Sequence, residues 1–268
     1  MTATAGRTGR RASAALLAAA LVIGLGACGD DDDGEAGGTD AAGLADDEGG
    51  SEEFCAAAAA VDAANLEAED PTSADVDAAL QEAVDTAPSA LAADVELMVD
   101  EAREMNAAPQ TDGPPPMPSP EFYDSAVRVG DHLTENCDFG SVSVTAADYS
   151  FSGVPAEVPA GTTVFSFENG GTEFHEIALM HVADGEERPV EELLALPEEE
   201  VSAVATEAAF VLAPPGAANF VTAELEPGRY VAVCFVPIGA TPDALASGAE
   251  LAGEPHAVHG MVAEFTVT

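Results

Sequence analysis

Four side chains in the second half of the chain could bind a metal ion. They follow one another in the order His175, Cys234, His256 and Met261. Imidazole, thiolate and thioether groups are ligands that soft transition metals prefer in proteins. His175 lies well before the other three residues, which are nearer the carboxyl end. The four side chains could form one metal site only if the fold brings these two distant parts of the chain together.

The segments that carry these residues have the alternating pattern of β-strands. From Ser141 onward, apolar residues recur with a period of two, and turns containing Pro and Gly separate the runs. A short helical segment is expected at 190–200. Several strands of this kind predict a Greek-key β-sandwich over residues 141–268. The predicted strands cover 142–146, 163–168, 176–181, 219–225, 229–234 and 261–267.

Three stretches of this region resemble the cupredoxins, the family of small blue-copper proteins. The first is similar to the opening strands of the family. The second is similar to the segment that brings in the first histidine ligand, and the third to the strand and loop that supply cysteine, second histidine and methionine. The first stretch comprises 142–151 and 158–169, the second is Asn169–His175, and the third comprises 227–234 and 256–261. The resemblance covers about half of the chain.

The resemblance implies one type 1-like copper ion as cofactor. On this interpretation Cys234 is the thiolate, His175 and His256 are the imidazoles, and Met261 is a distant axial ligand. A thiolate and two imidazoles in a trigonal plane, with a weak thioether, accommodate both Cu(I) and Cu(II). A rigid sandwich would limit rearrangement between the two oxidation states. The resemblance therefore implies electron transfer or copper handling.

Two features depart from the family pattern. In familiar cupredoxins only a few residues separate the cysteine from the second histidine, but here the segment 235–255 lies between them. This inserted segment must leave the end of the sandwich and return if the site is to close. Secondly, Glu176 follows His175, where plastocyanin-like members usually have asparagine. The hydrogen bond that steadies the histidine loop must then be made differently.

Each candidate ligand also has an alternative role. Cys234 could be a buried strand thiol, because free cysteine packs as a small hydrophobe, and Met261 could belong to the core. His175 and His181 are an even number of positions apart and could share a solvent-facing side of one strand. The second histidine ligand could instead be His259. The alternative function is a metal-free, cupredoxin-like envelope module that binds a partner.

Residues 51–139 have the pattern of helices rather than strands. Small and apolar side chains recur at steps of three and four in four successive segments. These segments begin near Phe54, Val76, Leu91 and Phe122, and a proline-rich linker precedes the last of them. Four short amphipathic helices predict a small helical bundle. The chain is therefore interpreted as an α+β protein with a helical domain ahead of the sandwich.

The amino-terminal segment predicts export and a lipid anchor. Arginines precede an uncharged run of small and apolar residues, 14–27, which is too short to span a bilayer. The run ends at Cys28 in a sequence that resembles a lipobox, where lipoproteins are cleaved and the cysteine is lipidated. Residues 1–27 are thus interpreted as a signal peptide, and the acidic residues 28–50 as a flexible tether. The alternative is an ordinary secretory peptide with a chance cysteine.

Export decides how the other cysteines are interpreted. Disulfides persist outside the cytoplasm, and three cysteines remain once Cys28 carries lipid. Cys55 and Cys137 belong to the first and last predicted helices, so a bridge between them would join the ends of the bundle. This pairing leaves Cys234 as the free thiol.

The charge of the chain restricts its partners. It has 7 Lys and Arg against 50 Asp and Glu, a formal net charge of -43. Such a surface repels nucleic acid and anionic lipid headgroups. It suits a cationic partner such as a redox protein, metal cations, or a salty environment in which the self-repulsion is screened. There is no metalloprotease helix motif, phosphate-binding glycine loop or serine nucleophile elbow. The sequence therefore predicts a membrane-anchored, extracytoplasmic binding or electron-transfer protein rather than an enzyme.

Overall fold

A computed structural model describes residues 48–108, 116–249 and 251–268. The predicted signal peptide, the lipidation site Cys28 and most of the tether lie outside the described residues, as does most of the proline-rich linker. Among the described residues, no helix combines the length and the apolar character needed to cross a bilayer.

Four helices make up the first part of the described chain. They are α1 (Glu48–Glu67), α2 (Ala74–Thr86), α3 (Ala92–Asn106) and α4 (Pro120–Asn136). At the start of α2, the Ser73 hydroxyl accepts a hydrogen bond from the Val76 amide at 3.3 Å, which pairs an amide that the helix itself leaves unpaired. Helices occupy all four segments in which the sequence predicts them. Their shared core includes Phe54, Val76, Leu80, Val95, Val129 and Leu133.

A disulfide joins the first of these helices to the end of the last. Cys55 in α1 is bonded to Cys137, which directly follows α4, and their Cα atoms are 5.7 Å apart. This is the pair that the sequence predicts. Cys234 is a free, buried cysteine.

The strands of the described chain form two sheets. Their orders are β2-β1-β4-β7 and β3-β9-β8-β5-β6. Pairing is parallel between β1 and β4 and between β3 and β9, and antiparallel elsewhere. The strands are β1 (Gly140–Ala147), β2 (Ser150–Ser152), β3 (Glu157–Val158), β4 (Gly161–Asn169), β5 (His175–Val182), β6 (Ala205–Ala213), β7 (Ala218–Leu225), β8 (Gly228–Val233) and β9 (Val262–Val267). The connections contain α5 (Val190–Leu194), α6 (Glu198–Val201), α7 (Pro242–Ala246) and a 3₁₀ helix (His256–His259).

The sequence did not predict β6, which is one of the two longest strands described. Its residues, Ala205–Ala213, are rich in alanine, which has a low intrinsic preference for strands. The strand is stabilised by its context, since it pairs with β5 along its length and buries Ala209, Val211 and Ala213. The short strands β2 and β3 were not predicted either, because each has too few residues to show an alternating pattern.

The two sheets share one hydrophobic core. Alternate residues of β1 are buried, as expected for a strand with one face against a core. Phe165 and Phe167 of β4 contribute from one sheet, and Ile177 and Leu179 of β5 from the other, each at most 1% exposed. Burial of these large side chains supplies most of the driving force for folding this part.

The helices pack on the outer face of the β4–β7 pair. Val164 points away from the neighbouring Phe165 and belongs to the hydrophobic cluster of the helices. Gly130 of α4 lies against Phe220 of β7, where a β-carbon at position 130 would be 3.2 Å from the Phe220 side chain. Strand β4 is therefore covered on both faces, by the second sheet and by the helices.

A partly buried ionisable contact lies at this helix–sheet junction. The Asp62 carboxylate of α1 accepts hydrogen bonds from the Thr222 amide at 2.8 Å and the Thr222 hydroxyl at 2.6 Å. Burial raises the pKa of Asp62 to about 6, although both hydrogen bonds act in the opposite direction. The folded chain therefore holds a proton on Asp62 more readily than the unfolded chain does.

This shift has a consequence for stability. Protonated Asp62 stabilises the folded state. This stabilisation is fully present below the unfolded pKa of 3.8 and is lost as the pH rises through about 6. Asp62→Asn has no group that titrates at this position. We therefore expect the free energy of unfolding of the variant to fall less than that of the wild-type protein between about pH 4 and pH 7. Urea unfolding across this range measures the difference. The exposed Asp138→Asn is the matched control, and parallel curves for wild type and Asp62→Asn would contradict the expectation.

Candidate metal centre

Three of the four candidate ligands meet in one buried cluster. The ligand atoms of His175, Cys234 and His256 all lie within 4.8 Å of one another. The two Nδ1 atoms are 3.0 Å apart, and the Cys234 sulfur is 3.4 Å from the His256 Nδ1. All three residues are 0% exposed. Two imidazoles and a thiol thus face one small volume.

The backbone brings the carboxyl-terminal part of this cluster together. Cys234 directly follows β8, and its amide donates to the Met261 carbonyl at 3.2 Å. The Ala257 amide donates to the Cys234 carbonyl at 2.9 Å, which places the 3₁₀ helix beside the cysteine. Gly260 ends that helix with a φ of 105°, a conformation that favours glycine. The turn there lets Met261 pass directly into β9.

The described residues of the inserted segment 235–255 fold back on themselves beside the site. Near its ends, the Ile238 amide donates to the Glu254 carbonyl at 3.0 Å, and Pro237 pairs with Pro255 as an isolated bridge. Its first part also contacts the loop before β5, since the Phe174 amide donates to the Ala240 carbonyl at 2.8 Å. The described residues of the segment therefore leave the sandwich and return, as the sequence requires for a closed site.

Each histidine of the cluster has a carboxylate behind it. The His175 Nε2 is 3.3 Å from an Asp148 oxygen, and the His256 Nε2 is 3.0 Å from a Glu173 oxygen. With Nε2 protonated, each ring donates to its carboxylate and turns the lone pair of Nδ1 toward the cluster. Carboxylate–histidine pairs of this kind orient metal ligands and fix their tautomers.

The contact between His175 and Asp148 depends on a glycine. A β-carbon at Gly171 would lie 2.5 Å from both the His175 Nε2 and the Asp148 oxygen. The aspartate is also held by the Thr172 amide at 2.8 Å and the Thr172 hydroxyl at 2.9 Å. Hydrogen bonds from Thr172, followed by that from His175, keep the pKa of Asp148 below its usual value. Asp148 is therefore an anion beside the His175 ring.

Glu176 makes a hydrogen bond between the two halves of the site. Its carboxylate accepts from the Phe235 amide at 2.8 Å, and its own amide lies 3.5 Å from the Cys234 sulfur as a donor. Burial raises the pKa of Glu176 to about 7. The sequence predicted that the hydrogen bond usually made by an asparagine at this position would be made differently. In the structure, the Glu176 side chain joins strand β5, which begins at His175, to the residue that follows Cys234.

Burial also sets the protonation of the ligand groups. It raises the pKa of the Cys234 thiol to about 12 and lowers that of His175. His175 is thus a neutral imidazole at neutral pH, the form that binds metals. The thiol keeps its proton until a soft cation displaces it, because metal binding requires the thiolate.

The donor set fits a copper ion. Two Nδ1 lone pairs 3.0 Å apart would repel each other unless a cation or a proton lay between them. Two imidazoles and one thiolate, shielded from water, are the ligands of blue-copper electron-transfer sites. His175, Cys234 and His256 are the residues that would hold the ion.

The structure separates the other histidines from this cluster. His181 stacks on Tyr230, with ring centroids 4.5 Å apart, and does not share the environment of the fully buried His175. His259 is 38% exposed in its side chain, with its Nε2 3.4 Å from a Glu254 oxygen. Of the two carboxyl-terminal histidines, His256 is the one that faces Cys234.

Met261 lies next to the cluster through the backbone. Its amide donates to the His256 carbonyl at 3.2 Å, and its side chain is 0% exposed within the core cluster that also contains Cys234. A role as axial ligand and a role in the core both agree with this position. The axial role remains a prediction.

The sequence did not reveal the outer residues of the site. Asp148, Tyr149 and Glu173 contact the two histidines, but acidic residues are so frequent in this chain that no pair of them stood out. The only local signal is that Asp148 and Tyr149 lie between two strands, and that Glu173 is two residues before His175.

A separate groove of about 620 Å³ lies between α1 and strands β6 and β7. Asp62, Phe210 and Thr222 are among its lining residues, whereas none of the clustered ligands is. The groove belongs to the helix–sheet junction and not to the metal centre.

Known structures with similarity to this chain include small copper proteins. An auracyanin from Roseiflexus castenholzii is 22% identical over 48% of this chain and 96% of its own, with a TM-score of 0.29. Auracyanin A, a blue copper protein from Chloroflexus aurantiacus, is 18% identical over 48% of this chain and 100% of its own, with a TM-score of 0.27. Rusticyanin from Thiobacillus ferrooxidans is 17% identical over 48% of this chain and 77% of its own, with a TM-score of 0.28.

A multicopper oxidase is also similar, at 12% identity over 48% of this chain and 44% of its own, with a TM-score of 0.27. No protein-family model and no curated protein matches the chain. Because the TM-scores are low, any functional assignment depends on the chain's own residues. The auracyanins and rusticyanin are cupredoxins, and this chain has a buried His–Cys–His group.

Proposed function

We propose that this chain is a copper-binding electron carrier of the cupredoxin type, held outside the cell membrane by lipid on Cys28. The observation that supports copper binding is the convergence of two Nδ1 atoms and one sulfur within 4.8 Å, in a site closed to water. A copper ion bound there would supply one-electron chemistry by alternating between Cu(II) and Cu(I).

The residues around the ligands favour electron transfer over copper delivery. All three ligands are fully buried, and both histidines are held from behind by carboxylates. Release of an ion from ligands that are fully buried would require the residues around them to move. A ligand set that is fixed in this way changes little between oxidation states, which suits an electron carrier and hinders metal exchange.

The location and the partner are proposed from the sequence. The run before Cys28 resembles a lipobox, and the acidic stretch that follows it suits a tether between membrane and folded protein. With a net charge of -43, the chain would attract a cationic redox partner and repel nucleic acid. The anchor and the acidic surface involve residues other than the metal ligands, so they are tested separately from the metal site.

The test is a redox cycle of the copper-loaded protein. Residues 29–268, produced without the lipid anchor, are given one equivalent of Cu(II) and titrated with a one-electron reductant and then an oxidant. We expect an intense visible thiolate-to-copper band that disappears on reduction and returns in full on oxidation, with the copper retained throughout.

Two other results would overturn the proposal in different ways. Stoichiometric copper without an intense band, or with copper lost on reduction, would favour storage or delivery. A chain that retains no copper would favour the metal-free envelope module that the sequence left open.

A further inference from the structure

The outer residues of the metal centre form a connected group with two negative charges. Asp148 contacts the His175 Nε2, and Glu173 contacts the His256 Nε2. Glu173 also accepts a hydrogen bond from the Gly239 amide at 2.7 Å, so that it links the inserted segment to the ligand. Each imidazole thus has an anion on the side away from the cluster.

Tyr149 joins these two contacts into one unit. It lies in the turn between β1 and β2, directly after Asp148, and adopts a φ of 65°, which is unfavourable for a side chain of this size. Its ring lies edge-on to His256, with centroids 5.1 Å apart, and its hydroxyl donates to Glu173 at 3.4 Å. Backbone strain of this kind persists only where the surrounding structure maintains it, and it concentrates at functional sites.

We propose that Asp148 and Glu173 are positioning residues that fix the two imidazoles and bias a bound copper ion toward Cu(II). The inference rests on the proposed function, since it concerns the same site. Cu(II) carries one more positive charge than Cu(I), so nearby negative charge stabilises the oxidised form more than the reduced form. The Glu173 side chain is only 12% exposed, which strengthens its interaction compared with water, whereas the Asp148 side chain is 38% exposed and its effect is smaller. The expected result is a lower reduction potential than the same ligands would have without the two carboxylates.

The test compares charge-neutral variants of the full site. Glu173→Gln and Asp148→Asn keep an oxygen that accepts from the imidazole, and they remove the charge alone. Loss of an outer partner typically costs 10–100-fold in metal affinity, and we expect about a tenfold loss of Cu(II) affinity with little change in Cu(I) affinity. A tenfold change in that preference corresponds to about 59 mV for a one-electron couple, so Glu173→Gln should raise the potential by about this amount and Asp148→Asn by less.

The matched control is Glu157→Gln, which removes one exposed charge on β3. Glu157 pairs with Thr266, at the far end of β9 from Met261. The potential is measured by redox titration of the visible band in each protein. Both Glu173→Gln and Asp148→Asn must raise it beyond the control, and the proposal is wrong if either does not. Should Glu173→Gln fail to fold, Asp148→Asn in the more exposed turn decides alone.

Measurements on the wild-type protein distinguish a failure of this inference from a failure of the proposed function. If wild type shows the band and the variants keep its potential, only the inference about Asp148 and Glu173 fails. If wild type shows no band, the copper site itself fails and the inference with it.

Discussion

Replacement of Cys234 with serine is expected to abolish the visible copper band of the protein. The thiolate is the one sulfur in the buried His–Cys–His group, and a serine hydroxyl is a poor ligand for Cu(I) and gives no thiolate-to-copper transition. Loss of an outer partner alone costs about 10–100-fold in affinity, so loss of this ligand should cost more than about 100-fold. Copper titration with absorption and metal analysis measures both effects.

The matched control is His259→Gln, since His259 lies outside the group of converging ligands. It should keep both the band and the affinity. Circular dichroism of the metal-free Cys234→Ser protein shows whether the fold survives. If Cys234→Ser changed stability alone and left copper binding intact, Cys234 would be a packing residue, as the sequence allowed.

Removal of the disulfide is expected to destabilise the helical part strongly. Cys55 and Cys137 are 82 positions apart, and in the chain-entropy model a loop of this length contributes about 4 kcal/mol. This is a large share of the 5–15 kcal/mol that typically stabilises a folded domain. We expect the double variant Cys55→Ser with Cys137→Ser to lose about 4 kcal/mol in urea unfolding followed by circular dichroism.

The same variant shows whether the site needs the helices. The metal ligands lie in and beside the sandwich, which has its own core, so the copper band should survive wherever the sandwich remains folded. A loss below about 1 kcal/mol would mean that the helical core alone holds this part together. Loss of the band together with the helices would mean that packing of the helices on β4 and β7 maintains the site.

The residue types of the site were predictable from sequence, and its closure was not. The resemblance to cupredoxins, with histidine, cysteine, histidine and methionine in the family's order, identified the candidates. Whether His256 or His259 faced the cysteine depended on the path of the inserted segment. That path is set by backbone hydrogen bonds such as the one from Ala257 to Cys234, for which the sequence has no local signal.

The acidic composition concealed the rest of the site. Asp148 and Glu173 are two among 50 acidic residues, and only the fold brings them to the imidazoles. Strand β6 was missed for a related reason, because its alanines have little preference of their own and the partner strand decides its conformation. In contrast, the helices and the disulfide were predictable from periodicity and from the number of cysteines.

X-ray absorption at the copper edge of the loaded wild-type protein tests the metal centre most directly. If His175, Cys234 and His256 are the ligands, the spectrum will show one short copper–sulfur contact and two imidazole nitrogens, in both the oxidised and the reduced protein. A copper ion surrounded by oxygen and nitrogen alone, without the short sulfur contact, would contradict the site and the electron-carrier function proposed for it.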